Sequence, residues 1–513
     1  MYVMLSARVR WAVSILAFCA VAAASHAQTP RLDDAPSFQG MRDRWAGIMD
    51  EFNVPGMAIA IVKDGKVLAI ETFGVRAPAE GGGTGAAPTP NTIYYIASIT
   101  KTYLATAVCA LADDGKLSLD DPVQKHLPRF VLPNASAAAE KITIRDLLCH
   151  KAGITQGDPI VTMDAYTGEI TDDRYYHWMA KQKPTGETAY SNLHYTLLGR
   201  VVEKVSGKPW RDYLDERVFK PTGLTRTTGY ASRMYGDPDS AIPMERRDDQ
   251  WRACRLRKTD RTMHAAGGLG ASASDAARWL ILHMNDGEID GKRVISAERA
   301  KEMRTIQSKL PQKQGSIRIM EGFGFGWQVG TFHGTPLCSH GGGYEGTSAY
   351  YAILPEKKSG FALLMNAAGP AKGLGDVIAI DILDRLIEGD ERVDVLEVYR
   401  KGLPEQKQNM ASRYAELKTE LSKPFELTRP VSAYAGRFQS TDLGTFTITP
   451  DGSRLKAVFG ECELDVTPAG PDAFKVLRPT AEGVVFKFTT SPDGNVTALG
   501  LDVPEEGTIL FKK

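Results

Sequence analysis

The strand-forming sequence of this chain is split, and that split constrains its fold more than any other feature. Met57 to Val62 is an unbroken apolar run, Asp64-Gly65 supplies a tight turn, and Lys66 to Val75 continues as a second strand. Strand patterns then lapse until 327–332, 347–354 and 359–366, and helix-like sequence dominates from residue 98 to about residue 300. Strands at both ends of a domain with helices between them predict an α+β arrangement in which distant segments share one sheet.

The flanking elements fit such a domain. Residues 38–53 read as a helix with Met41, Trp45, Met49 and Phe52 close to one face. Residues 76–90 are a Gly/Ala/Pro loop. Residues 98–114 read as a helix with Leu104, Val108 and Leu111 on one side, ended by Gly115. The character changes near residue 390. Residues 391–425 are charged and helix-prone, closed by Pro424 and Pro430, and read as a helical linker. From Tyr434 onward short alternating runs are punctuated by Pro450-Asp451-Gly452, Gly470-Pro471-Asp472 and Pro492-Asp493-Gly494, the spacing of a small antiparallel barrel or sandwich. The expected organisation is therefore a main domain over 28–390, a linker over 391–425 and an all-β domain over 426–513.

Residues 1–27 read as an export signal. Arg8 and Arg10 precede an apolar stretch from Trp11 to Ala24, and Ser25-His26-Ala27 offers a cleavage site. The stretch is short for a membrane span, no later segment looks transmembrane, and the expected destination is the periplasm or the exterior. Lys plus Arg and Asp plus Glu both number 62, which argues against a nucleic-acid partner. The five cysteines beyond the leader are an odd, scattered set, not a disulfide framework. The histidines show no ligand spacing, so neither metal nor cofactor is expected. Oligomeric state is not legible.

Three short motifs carry chemistry. In Ser98-Ile99-Thr100-Lys101 a hydroxyl and an amine lie one helical turn apart, and a lysine held in a dry site can lose its proton and activate the serine. In Tyr190-Ser191-Asn192 a phenol beside an ammonium is pushed toward phenolate and can shuttle protons, while Asn192 offers an amide to a substrate carbonyl. In His340-Gly341-Gly342-Gly343, shortly before a strand, glycines admit substrate backbone closely. A backbone N–H there could form an oxyanion hole with that of Ser98. Singly, each motif also has a structural reading: a helix N-cap, a loop-to-helix junction, a glycine-rich hairpin loop. No G-x-S-x-G elbow is present.

The order and spacing of the three motifs resemble the serine β-lactamase and penicillin-binding family, in its class C β-lactamase, D-alanyl-D-alanine carboxypeptidase and esterase branch. Asn53–Ala60, Ile142–His150 with Ala152-Gly153-Ile154, Ala266–Leu269 and Gly324–Trp327 match that family as well, so the resemblance spans about residues 38–390. It implies an antiparallel sheet with a helical subdomain. It implies Ser98 as acylated nucleophile, with Lys101 and Tyr190 sharing acid and base work in an order left open. Asn192, His340, Gly341 and Gly342 would bind substrate, and the N–H groups of Ser98 and Gly343 would hold the oxyanion. The carboxy-terminal domain resembles a lipocalin-like appendage, either a stabilising or dimerising module or a wall of the cleft. One departure matters. His340 stands where β-lactamases of this branch usually carry a lysine, and a neutral histidine is a weaker anchor for a substrate carboxylate. The expected activity is thus hydrolysis of esters or amides, such as D-amino-acid peptides. A class C-like β-lactamase and a penicillin-binding or peptidoglycan-sensing protein with little turnover are the alternatives. His194, where relatives carry glycine, reads as a packed helix residue.

Overall fold

The structure is a computed structural model that describes residues 32–78, 85–132, 141–154, 158–185, 187–247, 250–311, 318–388, 394–478, 482–503 and 507–513. The leader over 1–27 lies outside the described residues. Among those described, no helix is long and apolar enough to cross a membrane.

Eight antiparallel strands form the main sheet. Their spatial order is Ser308–Lys309, Arg318–Phe323, Gln328–Phe332, Thr335–Tyr344, Thr347–Leu354, Ser359–Met365, Gly56–Lys63 and Lys66–Gly74. The amino-terminal hairpin therefore joins the far end of its own domain, with Met57 opposite Met365 and Val62 opposite Gly360. Its turn residues Asp64 and Gly65 have φ of 52° and 72°, the left-handed pair that matches the twist of the flanking strands.

Both faces of this sheet are covered, which explains why Met57–Val62 has no polar alternation. Met57, Ile59 and Ile61 face Trp45 and Phe52 of the helix Met41–Phe52 and Ile378 and Ile382 of the helix Pro370–Ile387. Ala58, Ala60 and Val62 face the other way, toward the helix Ala273–Met284. Trp279 of that helix stacks on Tyr103 at 3.8 Å and so links it to the helix Thr100–Asp113. Every residue from Thr100 to Leu111 is buried. The single apolar face expected of this helix is therefore too narrow a description, because a helix enclosed on all sides is a core element.

The structure has strands at Ser308–Lys309, Arg318–Phe323 and Thr335–Tyr344 that the sequence patterns do not reveal. The last contains His340–Gly343, so the glycine motif lies within a strand and not ahead of one. Glycine is depleted in strands by propensity; a tertiary contact demands it at Gly342.

The helix Val395–Ser422, with Pro404 inside it, buries Leu396 and Leu403 against the main domain. It then leads to a closed barrel of eight strands running from Gly436 to Lys512. Each strand pairs with the next in sequence, and Gln439 opposite Lys512 closes the ring. Phe446, Phe459, Phe474, Phe486 and Phe511 fill its interior with ring-to-ring contacts. The barrel docks on the main domain: Glu461 N–H donates to Thr167 O at 2.9 Å, Arg174 Nε to Thr441 O at 2.8 Å, and Trp178 Nε1 to Asp442 O at 3.0 Å.

Candidate active site

Ser98 sits in the middle of a short 3-10 turn, Ala97–Ile99, that runs directly into the helix Thr100–Asp113. Ala97 holds φ at 45°, a conformation costly for a residue with a Cβ. Neighbouring backbone fixes the turn on both sides. Ile96 N–H donates to Leu269 O at 3.0 Å, and Leu269 N–H donates to Thr100 Oγ1 at 3.1 Å. The Ala266–Leu269 segment is thus laced across the Ser98 turn.

Lys101 is fully buried in the first turn of the helix. Its Nζ lies 2.7 Å from Ala266 O, 2.8 Å from Asn192 Oδ1 and 3.2 Å from Ser98 Oγ. The carbonyl and the amide oxygen can only accept, so they take two N–H bonds. Burial drives the Lys101 pKa well below its ordinary value, which favours the free amine. A free amine has only two protons, and both are engaged; its lone pair then faces the Ser98 hydroxyl.

Tyr190 OH donates to Ser98 Oγ at 2.9 Å. Burial pushes its pKa up to about 12, only partly offset by the hydrogen bond with Ser98. This corrects the expectation that the neighbouring lysine drives the phenol toward phenolate. Desolvation acts on both groups and favours the neutral form of each, so the pair is amine plus phenol. Ser191 caps the helix Asn192–Ser206 by accepting from Leu193 N–H at 3.2 Å, which turns Asn192 toward Lys101.

The third motif lies on the strand Thr335–Tyr344. Its partner on one side pairs only as far as Ser339, opposite Gln328. A Cβ on Gly342 would stand 2.2 Å from Ile96 O and 3.2 Å from Ser98 N, so only glycine lets this strand approach the Ser98 turn. A Cβ on Gly343 would meet nothing within 4 Å. Gly341 would have only ordinary contact with Tyr350. His340 is buried, with its ring 6.0 Å from that of Tyr190 and its Nδ1 2.7 Å from Gly341 O. Burial pulls its pKa down to about 3, so the ring is neutral. The structure therefore brings Ser98, Lys101, Tyr190, Asn192, His340 and Gly342 to one place.

Other groups at the site escape sequence reasoning. Ala266 contributes a carbonyl, which no side-chain motif can reveal. His150 lies against the Tyr190 ring, with centroids 4.8 Å apart, and His194 lies against His150. Lys258 is buried beside the cleft segments, with Nζ 2.5 Å from Ala165 O and 3.8 Å from the Tyr344 ring centroid. Desolvation draws its pKa down to about 7.

Comparison with known proteins follows the same lines. The Beta-lactamase family model matches residues 41–383. Over 350 residues the chain is 30% identical to penicillin-binding protein 4 of Amycolatopsis lactamdurans, covering 63% of this chain and 84% of that protein. The octameric penicillin-binding protein homologue from Pyrococcus abyssi superposes with a TM-score of 0.58 and 25% identity, over 92% of this chain and 99% of that one. D-amino acid amidase from Ochrobactrum anthropi superposes with a TM-score of 0.55 and 21% identity, over 70% of this chain and 99% of that one. A class C beta-lactamase from Rhodobacter sphaeroides gives 0.52 and 20%, over 68% and 98%. The last two are likenesses of fold.

Proposed function

The chain belongs to the beta-lactamase family of serine hydrolases, and from that premise we propose that it cleaves ester or amide bonds through an acyl-enzyme on Ser98. The observation that carries this is the Ser98 hydroxyl, held between the Lys101 amine at 3.2 Å and the Tyr190 phenol at 2.9 Å.

Ser98 Oγ attacks the substrate carbonyl carbon, and its proton passes to the lone pair of Lys101. The N–H groups of Ser98 and Gly343 hold the oxyanion; one such donor is worth about 2.7–4 kcal/mol. As the tetrahedral intermediate collapses, Tyr190 protonates the leaving group, and Lys101 returns a proton to the phenolate. Water then attacks the acyl-serine by the reverse path, giving its proton to the same pair and releasing the acid. Asn192 orients the substrate carbonyl, and Gly341 and Gly342 admit its backbone along the strand.

Substrate class rests on His340. A neutral ring at this position offers hydrogen bonding but no charge for a carboxylate. That favours neutral esters and amides, including amides of D-amino acids, over β-lactams. Identity to penicillin-binding protein 4 supports a second reading, slow acylation by penicillins with little turnover. The leader-like residues 1–27 favour a periplasmic or secreted enzyme; amino-terminal sequencing of the exported protein at Gln28 is the check.

Release of p-nitrophenol from a short acyl ester, by the wild type and by Ser98→Ala, tests the central reading. Release lost in the variant supports it, and equal release by both removes it. A labelled penicillin that stays on Ser98 while esters are not turned over favours the second reading.

A further inference from the structure

His150 grips the catalytic tyrosine from three directions. Its carbonyl accepts from Ala189 N–H at 3.1 Å. Its ring nitrogen Nδ1 accepts from Ser191 N–H at 3.2 Å. Its ring lies tilted against that of Tyr190, with centroids 4.8 Å apart and planes at 40°. One residue thus holds the amides on both sides of Tyr190 as well as its side chain. His150 takes φ of 59°, a left-handed conformation that glycine adopts freely and that asparagine, aspartate and histidine adopt more readily than other residues.

The protons on this cluster follow from the donors. Ser191 N–H points at His150 Nδ1, so that nitrogen carries no proton. His194 Nδ1 lies 3.2 Å from the same atom, a contact that is favourable only if His194 supplies the proton. The Ser191 N–H therefore fixes the tautomer of His150, with Nδ1 as the acceptor, and His194 packs against the same edge of the ring. Phe323 closes the far side of the His150 ring at 4.8 Å, and both imidazoles are buried. Burial also keeps both neutral, with His194 drawn down to about 3.

We propose that His150, held in one tautomer by the Ser191 N–H, is the positioning residue that keeps the Tyr190 phenol on Ser98 Oγ. The inference rests on Tyr190 acting in proton transfer, as set out above. His150 touches neither substrate nor the reacting atoms; it acts through the tyrosine. A misplacement of the phenol by about 1 Å is enough to slow the reaction about a hundredfold.

Asparagine and glutamine separate this role from bulk. An asparagine at 150 carries its amide oxygen near the place of Nδ1 and tolerates the left-handed backbone; glutamine places its amide one bond further out. Steady-state rates on the p-nitrophenyl ester are measured for His150→Asn, His150→Gln and His150→Ala, each alone and on a Tyr190→Phe background. His150→Ala and His150→Gln are expected to lower kcat about a hundredfold with KM within about threefold. His150→Asn is expected to recover most of the rate. On the Tyr190→Phe background all three are expected to fall within about twofold of Tyr190→Phe alone, since the group through which they act is gone. Should the alanine variant not fold, the asparagine and glutamine pair still carries the comparison. Equal losses in both backgrounds, or an asparagine variant no better than glutamine, overturn the inference. A Tyr190→Phe enzyme as active as the wild type overturns it from below, by removing the role of Tyr190.

Discussion

The proposed pairing of Ser98 with Lys101 requires that the amine be out of water. In solution a lysine is charged and cannot accept a proton from serine; here burial lowers its pKa well below the ordinary 10.5, and two acceptors hold the remaining N–H bonds. Activity is therefore expected to fall as pH drops through that lowered pKa, because protonation removes the lone pair facing Ser98. Lys101→Arg, which keeps the charge and cannot release it, is expected to lose about 10²–10⁴ in kcat/KM, read from a pH–rate profile on the ester. Stability carries the opposite mark of the same burial. The unfolded chain binds this proton below 10.5 and the folded one does not, so Lys101 destabilises the fold increasingly as pH falls from there toward its folded value. Much of this chemistry is legible in sequence, because S-x-x-K and Y-x-N place the right groups in local register. The protonation states are not: they depend on Ala266 and on enclosure by distant segments. The phenol, pushed up to about 12 and not down, shows how desolvation outweighs the hydrogen bond with Ser98.

At the level of elements, the hairpin and the nucleophile helix announce themselves through turn chemistry and apolar runs, and the strand Thr335–Tyr344 does not. Its His340-Gly341-Gly342-Gly343 reads as a loop because glycine has little strand propensity. The residue is there for clearance, since the backbone of Ile96 occupies the space where a side chain on Gly342 would go. Clearance is a property of two segments far apart in sequence, so no local pattern encodes it. Gly342→Ala is accordingly expected to force the strand off the nucleophile turn. Overpacking of this kind costs about 1–3 kcal/mol, seen as a lowered Tm, and ester turnover should fall by more than the loss of folded protein explains. Gly343→Ala makes the matched control for stability, since its Cβ meets nothing within 4 Å. An unchanged Tm for Gly342→Ala would mean that the strand relaxes freely and that the close approach is not required.

Across the whole molecule, composition and periodicity separate an α+β domain from an all-β one, but give no sign of how the two meet. The meeting is polar and specific. Arg174 donates to Thr441 O and Ser440 O of the barrel, at 2.8 and 3.2 Å, and to Glu169 O of its own segment at 2.7 Å. Glu461, in a barrel hairpin, binds Thr167 O through its N–H and Thr259 through its carboxylate. The adjacent Gly460 has φ of 58°, and a Cβ there would stand 2.2 Å from Thr167 O. These contacts hold the 163–174 and 258–262 segments, which carry Tyr166 and Lys258 beside the cleft. The barrel therefore has a mechanical hold on residues near the site, and none of its described residues contacts Ser98. Hydrogen bonds from a charged group contribute about 1.5–3 kcal/mol each where water is excluded, and less at this partly open surface. Arg174→Ala removes four of them, two of which reach the barrel, and Gly460→Ala drives a methyl group into the junction. In calorimetry each variant is expected to melt its barrel at a lower temperature than the wild type does. Turnover of a small ester should stay within about twofold in Arg174→Ala, because the Ser98–Lys101–Tyr190 contacts do not involve Arg174. Unchanged melting in both variants would mean that the helix Val395–Ser422 alone keeps the barrel in place.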